Sequence, residues 1–438
     1  MGERLTELLK KLFVIFIGLV AALLLAEALL RIIPVLGAYV RIPLETHDVV
    51  GFTRKPNSTA SFETTCFRIS PIKFNSQGFR DREFERNDDF EIAILGDSFM
   101  EAIEVPVDLN TASILSKILD RRTLNASVNS YGTTHELFVY KTFLKPLRPQ
   151  IVILFFYPGN DVKDNSCELT RMYGESISGP CGYLSDGKIL WNTSFDSGDN
   201  VRDQGPLKQF LRQHCRVCLL AYRTLKSDIW NRFRGGEIDF LYNTFRTEPP
   251  AAIRKPWEEG WKITEEAIRE LNAEVKSGGG KLFIVTVPDY FAVVPDWKKS
   301  FRQATGVDKV PEDFDPLLVE KRLEALGRQH DITVLNLAQD FNRYRVKFDL
   351  RDPYFWYICD AHWSPLGHFV AANLVARMLL DHDAISTDAR QKSALYAKIE
   401  KNLDLSPMDI LGREAYNQIY RKGVYLGSSN IPKILAGE

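Results

Sequence analysis

Glu91-Ile92-Ala93-Ile94-Leu95-Gly96-Asp97-Ser98 joins a short apolar run to a Gly-Asp-Ser motif. A short apolar run bounded by polar residues reads as a buried strand, and Ser98 stands where that strand gives way to a loop and helix. Open α/β sheets place their chemistry there, outside the carboxyl ends of the strands. Two further apolar runs are followed in the same way by a short polar motif. Residues 126–128 precede Asn129-Ser130-Tyr131-Gly132, and 151–157, the most strand-like run in the chain, precedes Pro158-Gly159-Asn160-Asp161. Far downstream lies Asp360-Ala361-His362.

A serine hydroxyl is a weak nucleophile at neutral pH, so it needs a base to take its proton and a third group to orient that base. His362 and Asp360 supply those two residue types. A tetrahedral intermediate needs donors aimed at its oxyanion, and the amides of Ser98 and Gly132 with the side chain of Asn160 are the candidates. Asp97 and Asp161, adjoining two of these residues, are expected to support them. Each element alone has a plainer reading. Gly-Asp-Ser reads as a turn, Asp360 and His362 as a surface pair or metal-binding fragment, Gly132 as a turn glycine, and Asn160 with Asp161 as a cap. The four motifs together, in this order and each catalytic element behind a strand, point to acyl transfer.

The succession Ser98, Gly132, Asn160, His362 resembles the SGNH (GDSL) hydrolase superfamily. The resemblance implies Ser98 as nucleophile, His362 as base, Asp360 as its orienter, and Gly132 and Asn160 in the oxyanion hole. It also implies a flavodoxin-like three-layer α/β sandwich with a five-stranded parallel sheet over roughly residues 88–382. Two departures stand out: Pro158 where many members have the first Gly of Gly-x-Asn-Asp, and one residue rather than two between Asp360 and His362. The second departure, with Trp363 after it, resembles the membrane-anchored branch of alginate O-acetyltransferase-like proteins. The function implied is that of an esterase acting through an acyl-serine on a carbohydrate acyl ester, or of an O-acyltransferase modifying a cell-surface polysaccharide. Neither needs a cofactor or a metal, but a transferase would need an integral-membrane acyl-donor protein as partner. A glycan-binding or scaffold subunit that keeps the fold without catalysis is the reading from a different class, and intact Ser98, Asp360, His362 and Asn160 argue against it.

The N-terminus carries an apolar stretch over 12–26, continued past Glu27 by Ala28-Leu29-Leu30 and preceded by Arg4, Lys10 and Lys11. That length is near what spans a bilayer, and cations before it favour an N-terminus kept in the cytoplasm. It reads as a signal anchor, with a cleaved signal peptide at Ala26-Glu27-Ala28 as the competing reading. Both put the catalytic domain outside the cytoplasm. The anchor makes this a single-pass protein of a bacterial cytoplasmic membrane whose catalytic domain faces the periplasm or exterior.

Charged residues make up 26% of the 438 and the formal net charge is -1, which excludes the basic footprint of nucleic-acid binding and recruitment by a polybasic patch. Six cysteines permit complete pairing in an oxidising compartment. Cys167 with Cys181 and Cys215 with Cys218 are the pairs nearest in sequence, leaving Cys66 with Cys359. Cys215-Arg216-Val217-Cys218 also admits a redox or zinc reading, but no strand precedes it and no second ligand pair has suitable spacing.

The expected organisation is a cytoplasmic segment over 1–11, an anchor over 12–33, and an extended lead-in over 34–87 with a turn at Asn75-Ser76-Gln77-Gly78-Phe79-Arg80. A hydrolase domain over 88–382 and a partly helical tail over 383–438 complete the chain. Strands are expected at 91–95, 126–129, 151–157, 281–287 and 333–337, with helices near 110–121, 134–144, 257–276, 317–329 and 365–380. Residues from 163 to about 250 show neither period and read as an insertion overhanging the site. His368 is expected in the first turn of the helix after His362, packing near the site, and His135 either contacts substrate or only begins a helix.

Overall fold

Residues 92–95 are buried at every position, and the same is true of 151–156. Strands with no exposed face belong in the middle of a sheet covered on both sides. The computed structural model describes residues 2–32, 42–63, 67–84, 90–195, 215–218, 220–221, 243–305, 309–350, 355–357, 362–422 and 429–437. Cys66, Cys359 and Asp360 lie outside the described residues, as does most of the expected insertion beyond residue 195.

The N-terminal helix α1 (Gly2–Ile32) contains the span Leu9–Leu30, long and apolar enough to cross a membrane. Two antiparallel pairs come next in the lead-in, β1 (Leu44–His47) with β2 (Gly51–Arg54) and β3 (Thr59–Glu63) with β4 (Arg68–Lys73). The central sheet contains β5 (Ile92–Leu95), β6 (Thr123–Asn125) and β7 (Ile151–Phe156). A further hairpin, β8 (Cys181–Ser185) with β9 (Lys188–Asn192), stands apart, and β10 (Lys281–Thr286) and β11 (Thr333–Asn336) complete the sheet. The sheet order is β11-β10-β7-β5-β6 with every pair parallel. Numbered within the sheet this is 2-1-3-4-5, the flavodoxin-like order, whose direction of winding reverses between β5 and β7.

Side chains alternate along each strand, so neighbouring residues enter different cores. Ile92, Ile94, Ile153, Phe155 and Val285 face one layer, built from α3 (Thr111–Leu119), the helices Leu337–Lys347 and Pro365–Asp381, and the C-terminal tail. Ala93, Leu95, Val152, Leu154 and Ile284 face the other, built from Thr133–Val139, Ala251–Ser277 and Leu318–His330. The tail is packed, with Ile399, Ile410, Leu411 and Ile431 buried against the first layer.

Three sequence expectations are corrected. The second strand is Thr123–Asn125 rather than 126–129, because its partner β5 pairs only as far as Ile94 with Asn125. Residues 126–128 are buried beyond the end of that ladder. The helix expected after Pro256 starts at Ala251 and carries Pro256 inside it, while Trp257 and Trp261 bury its face. The segment after residue 163 is not without regular structure. It carries the helix Cys167–Met172 and the β8–β9 hairpin, whose turn residues Asp186 and Gly187 both have positive φ. An Asp-Gly pair between strands is the signal that would have found this hairpin.

The lead-in is locked to the sheet by buried cations. Arg54 at the end of β2 donates to both oxygens of Glu101, each at 2.6 Å, and Glu101 also accepts from the Asn129 N–H at 2.9 Å. In the Asn75–Arg80 turn, Asn75 Oδ1 accepts from the amides of Gln77 and Phe79. That turn buries Phe79 and sends Arg80 beneath the Ser98 loop, where it donates to the carbonyls of Glu101, Ala102 and Val105. Replacing Arg54 by Ala would leave the Glu101 carboxylate buried without its counter-charge, so the variant should lose about 3–5 kcal/mol of stability in a denaturant melt.

Candidate active site

Ser98 opens a four-residue helix, α2 (Ser98–Glu101), directly behind β5, and Asp97 caps it by accepting from the Phe99 N–H at 2.9 Å. Gly96 lets Met100 pack against this bend, since a Cβ there would fall 2.7 Å from Met100 Cγ and displace it. His362 reaches the same point from the opposite end of the chain. Its Nε2 lies 2.8 Å from Ser98 Oγ, while Ser98 is 9% exposed. This is the hydrogen bond a base needs to take a serine proton.

The His362 loop is fixed by its neighbours. The Tyr357 N–H donates to the His362 carbonyl at 2.8 Å, and the His362 ring lies 5.0 Å from Phe99. Trp363, fully buried, meets Phe99, Phe341 and His368. His368 occupies the first turn of the Pro365–Asp381 helix, as expected, with Nδ1 2.9 Å from Thr111 Oγ1. Burial lowers its pKa to about 3, so it stays neutral. Asp360 lies outside the described residues.

Asn160 comes just after β7 and lines the same cavity as Ser98 and His362, a space of about 640 Å³. Its amide nitrogen donates to the Tyr131 carbonyl at 3.2 Å and to Asp164 Oδ2 at 2.9 Å, which engages both hydrogens. Gly132 comes close behind this wall. A Cβ on it would lie 2.9 Å from Asp164 Cβ, and its N–H points to His135 Nδ1 at 3.4 Å. The cavity at that loop is lined by Asn129 and Ser130 instead. To donate to an oxyanion, the Asn160 amide must therefore release one partner.

Part of the cavity wall comes from the segment after Asn160. Residues 174–179 border it, and the Cys167–Cys181 disulfide closes the base of that segment. Lys163 ties it down, donating to Glu175 at 2.7 Å and pairing with Asp164 at 3.0 Å. Burial alone would lower the pKa of Lys163, but these two carboxylates outweigh it and raise it. His135 lines the cavity and also begins a helix, Thr133–Val139, with its ring stacked on Tyr131 at 5.1 Å. Cys215 and Cys218 form the second disulfide, in the same nearest-neighbour pairing the spacing suggests.

Carboxyl groups crowd beneath the site. Burial raises the pKa of Asp97 to about 7, and burial with mutual repulsion holds Glu136 and Asp161 well above the usual range. Asp161 accepts from the Tyr157 N–H at 3.0 Å and so braces the loop that carries Asn160. Shifting these acids toward the protonated form reduces the negative charge where an oxyanion would form. Sequence reading missed Glu101, Glu104, Lys163 and Glu175, because each acts through a partner distant along the chain or on another face.

No protein-family model matches this chain, and no curated protein does. Among solved structures it is similar to TesA, with 10% identity over 66% of this chain and 97% of that one, at a TM-score of 0.32. An acetyl xylan esterase aligns at 11% identity over 66% and 99% of the two chains, TM-score 0.34. An α/β hydrolase enzyme from the metagenome of Lake Arreo, Spain, aligns at 12% over 68% and 96%, TM-score 0.34.

This geometry carries two expected outcomes. Asp97 ionises near 3.8 when unfolded and near 7 when folded, so folding takes up a proton between these values and stability falls as pH rises through that window. Asp97→Asn keeps the oxygen that accepts from Phe99 and removes the titration. At pH 8 it should be more stable than wild type in urea melts by on the order of 4 kcal/mol, about three pH units at roughly 1.4 kcal/mol each, with the gain closing near pH 4. Replacing Cys167 and Cys181 together by Ser opens a loop with a sequence separation of 14. Calorimetry should then show a loss of about 3 kcal/mol.

Proposed function

We propose that this chain is a serine-dependent ester hydrolase of the SGNH type, working through an acyl-Ser98 intermediate. The observation that carries the reading is the 2.8 Å contact between Ser98 Oγ and His362 Nε2 at the switch point of a flavodoxin-like sheet. His362 takes the Ser98 proton as Oγ attacks the ester carbonyl. The alcohol then departs with that proton, leaving the acyl group on Ser98 and His362 neutral. In the second half His362 activates the acceptor, which displaces Ser98. The Ser98 N–H, Asn160 and Gly132 are the donors offered to the oxyanion, with Asp360 orienting His362.

The substrate proposed is an acyl ester of a carbohydrate. Asn129, Ser130, Thr170, Ser176 and Ser178 border the cavity, a wall rich in the donors and acceptors a polyhydroxylated ligand needs. The same cavity is far larger than an acetyl group, which favours a second reading in which a sugar hydroxyl replaces water as acceptor. Transfer of that kind depends on excluding water while the acceptor is held, and would draw its acyl group from an integral-membrane partner protein. The apolar span of α1 supports attachment to a bacterial cytoplasmic membrane with the catalytic domain outside, and the disulfides Cys167–Cys181 and Cys215–Cys218 among the described residues fit an oxidising compartment.

The test is to incubate the protein with a small aryl acetate, with and without sugar acceptors, and measure free acetate and acetylated sugar. Acetate release indifferent to sugar identifies the esterase, and acetylated sugar formed at its expense identifies the transferase. Ser98→Ala should lower either rate at least about a thousandfold and abolish fluorophosphonate labelling without changing the melting temperature appreciably. Wild-type protein that neither labels nor turns over any acyl donor would leave a non-catalytic glycan-binding subunit in its place.

A further inference from the structure

The turn after α2 returns a carboxylate to the face of His362 opposite Ser98. Glu104 Oε1 lies 3.6 Å from His362 Nδ1, with the Glu104 side chain 3% exposed. That separation is an ion-pair distance rather than a formed hydrogen bond. Tyr357 ties the two elements together, since its hydroxyl donates to the Glu104 carbonyl at 3.3 Å and its N–H to the His362 carbonyl. The nucleophile and this carboxylate thus belong to one short segment braced against the base.

We propose that Glu104 is a positioning residue for His362, a second carboxylate that holds the ring toward Ser98 and stabilises the imidazolium formed as the serine proton is taken. The inference rests on the acyl-Ser98 reading above. Charged groups face this region from several elements. Asp97 and Glu101 come from the Ser98 segment, Arg54 and Arg80 from the lead-in, Asp108 from the turn after Glu104, Asp164 from the Asn160 side and His368 from the helix behind His362. Arg54 is paired bidentately with Glu101, and Arg80 donates to backbone carbonyls while its charge also acts on Glu104. His368 is held neutral by burial. Among the described residues, Glu104 is the carboxylate at ion-pair distance from the distal nitrogen of His362. An opposite charge there favours the charged imidazole, which raises the pH at which the base becomes available and lowers the barrier to forming imidazolium.

The experiment compares the full-length wild type, Glu104→Gln and Glu104→Asp in detergent, using aryl acetate turnover against pH together with fluorophosphonate labelling at Ser98. For Glu104→Gln the acidic limb of kcat/KM should move down by about one pH unit and the plateau should fall about tenfold, because the same lost stabilisation enters both. KM should be little changed, and Glu104→Asp should recover part of both effects. A wild-type profile in Glu104→Gln overturns the proposal. A lowered plateau with an unmoved acidic limb, or no recovery in Glu104→Asp, also overturns it, since those are the marks of a purely structural role. Wild-type protein that fails to label at Ser98 overturns the acyl-enzyme reading itself and this inference with it.

Discussion

The parallel pairing of β5 with β7 is the constraint on which the rest of the structure depends. Parallel strands need crossover connections, so the chain leaves β5 on one side of the sheet and β7 on the other, opening a crevice at their carboxyl ends. Ser98 and Asn160 each come a few residues after one of these strands. Their proximity is therefore fixed by Ile92 to Leu95 lying in register with Ile151 to Leu154, without any contact between the two loops having to create it. His362 is brought to the same mouth by the buried Trp363 and the helix behind it.

Such a crevice is electrostatically costly to build. Several carboxyl groups and two arginines are removed from water within one region, and each must be paired, hydrogen-bonded or neutralised. Three solutions stand side by side. Arg54 and Glu101 pair bidentately, Arg80 donates to carbonyls, and burial pushes Asp97, Glu136 and Asp161 toward their protonated forms. The lead-in thus acts as more than a spacer between α1 and the sheet, because Arg54 on β2 and Arg80 in the Asn75–Arg80 turn hold the segment on which the nucleophile rides.

The central strands were legible because parallel strands buried on both faces leave continuous apolar runs, as at 92–95 and 151–156, and these occur at the expected places. The second strand was misplaced because the apolar run at 126–128 records burial: the last register pair is Ile94 with Asn125, the Ala126 N–H makes one more bond to the Ile94 carbonyl, and burial continues to residue 128. The hairpin after Cys181 was missed although Asp186-Gly187 marks it, because the surrounding residues lack strong alternation: its strands are only partly buried, Tyr183 and Leu190 standing exposed on them. Ser98 and His362 could be paired from their motifs alone, and the structure places their reacting atoms at hydrogen-bond distance.

The α/β architecture, the strands that carry Ser98 and Asn160, an N-terminal helix apolar enough for a membrane, and the nearest-neighbour cysteine pairs are all written in local sequence. These depend on local periodicity and short separations, which a chain displays without being folded. Only the tertiary structure decided that Arg54 pairs with Glu101, that Glu104 faces His362, that Lys163 tethers the cavity wall through Glu175, and that the Asn160 amide is already engaged. Most of those relations join residues far apart in the chain, on separate elements or loops. They exist because burial removes water as the competing partner, leaving each charged or polar group to satisfy itself with whatever the packing brings near.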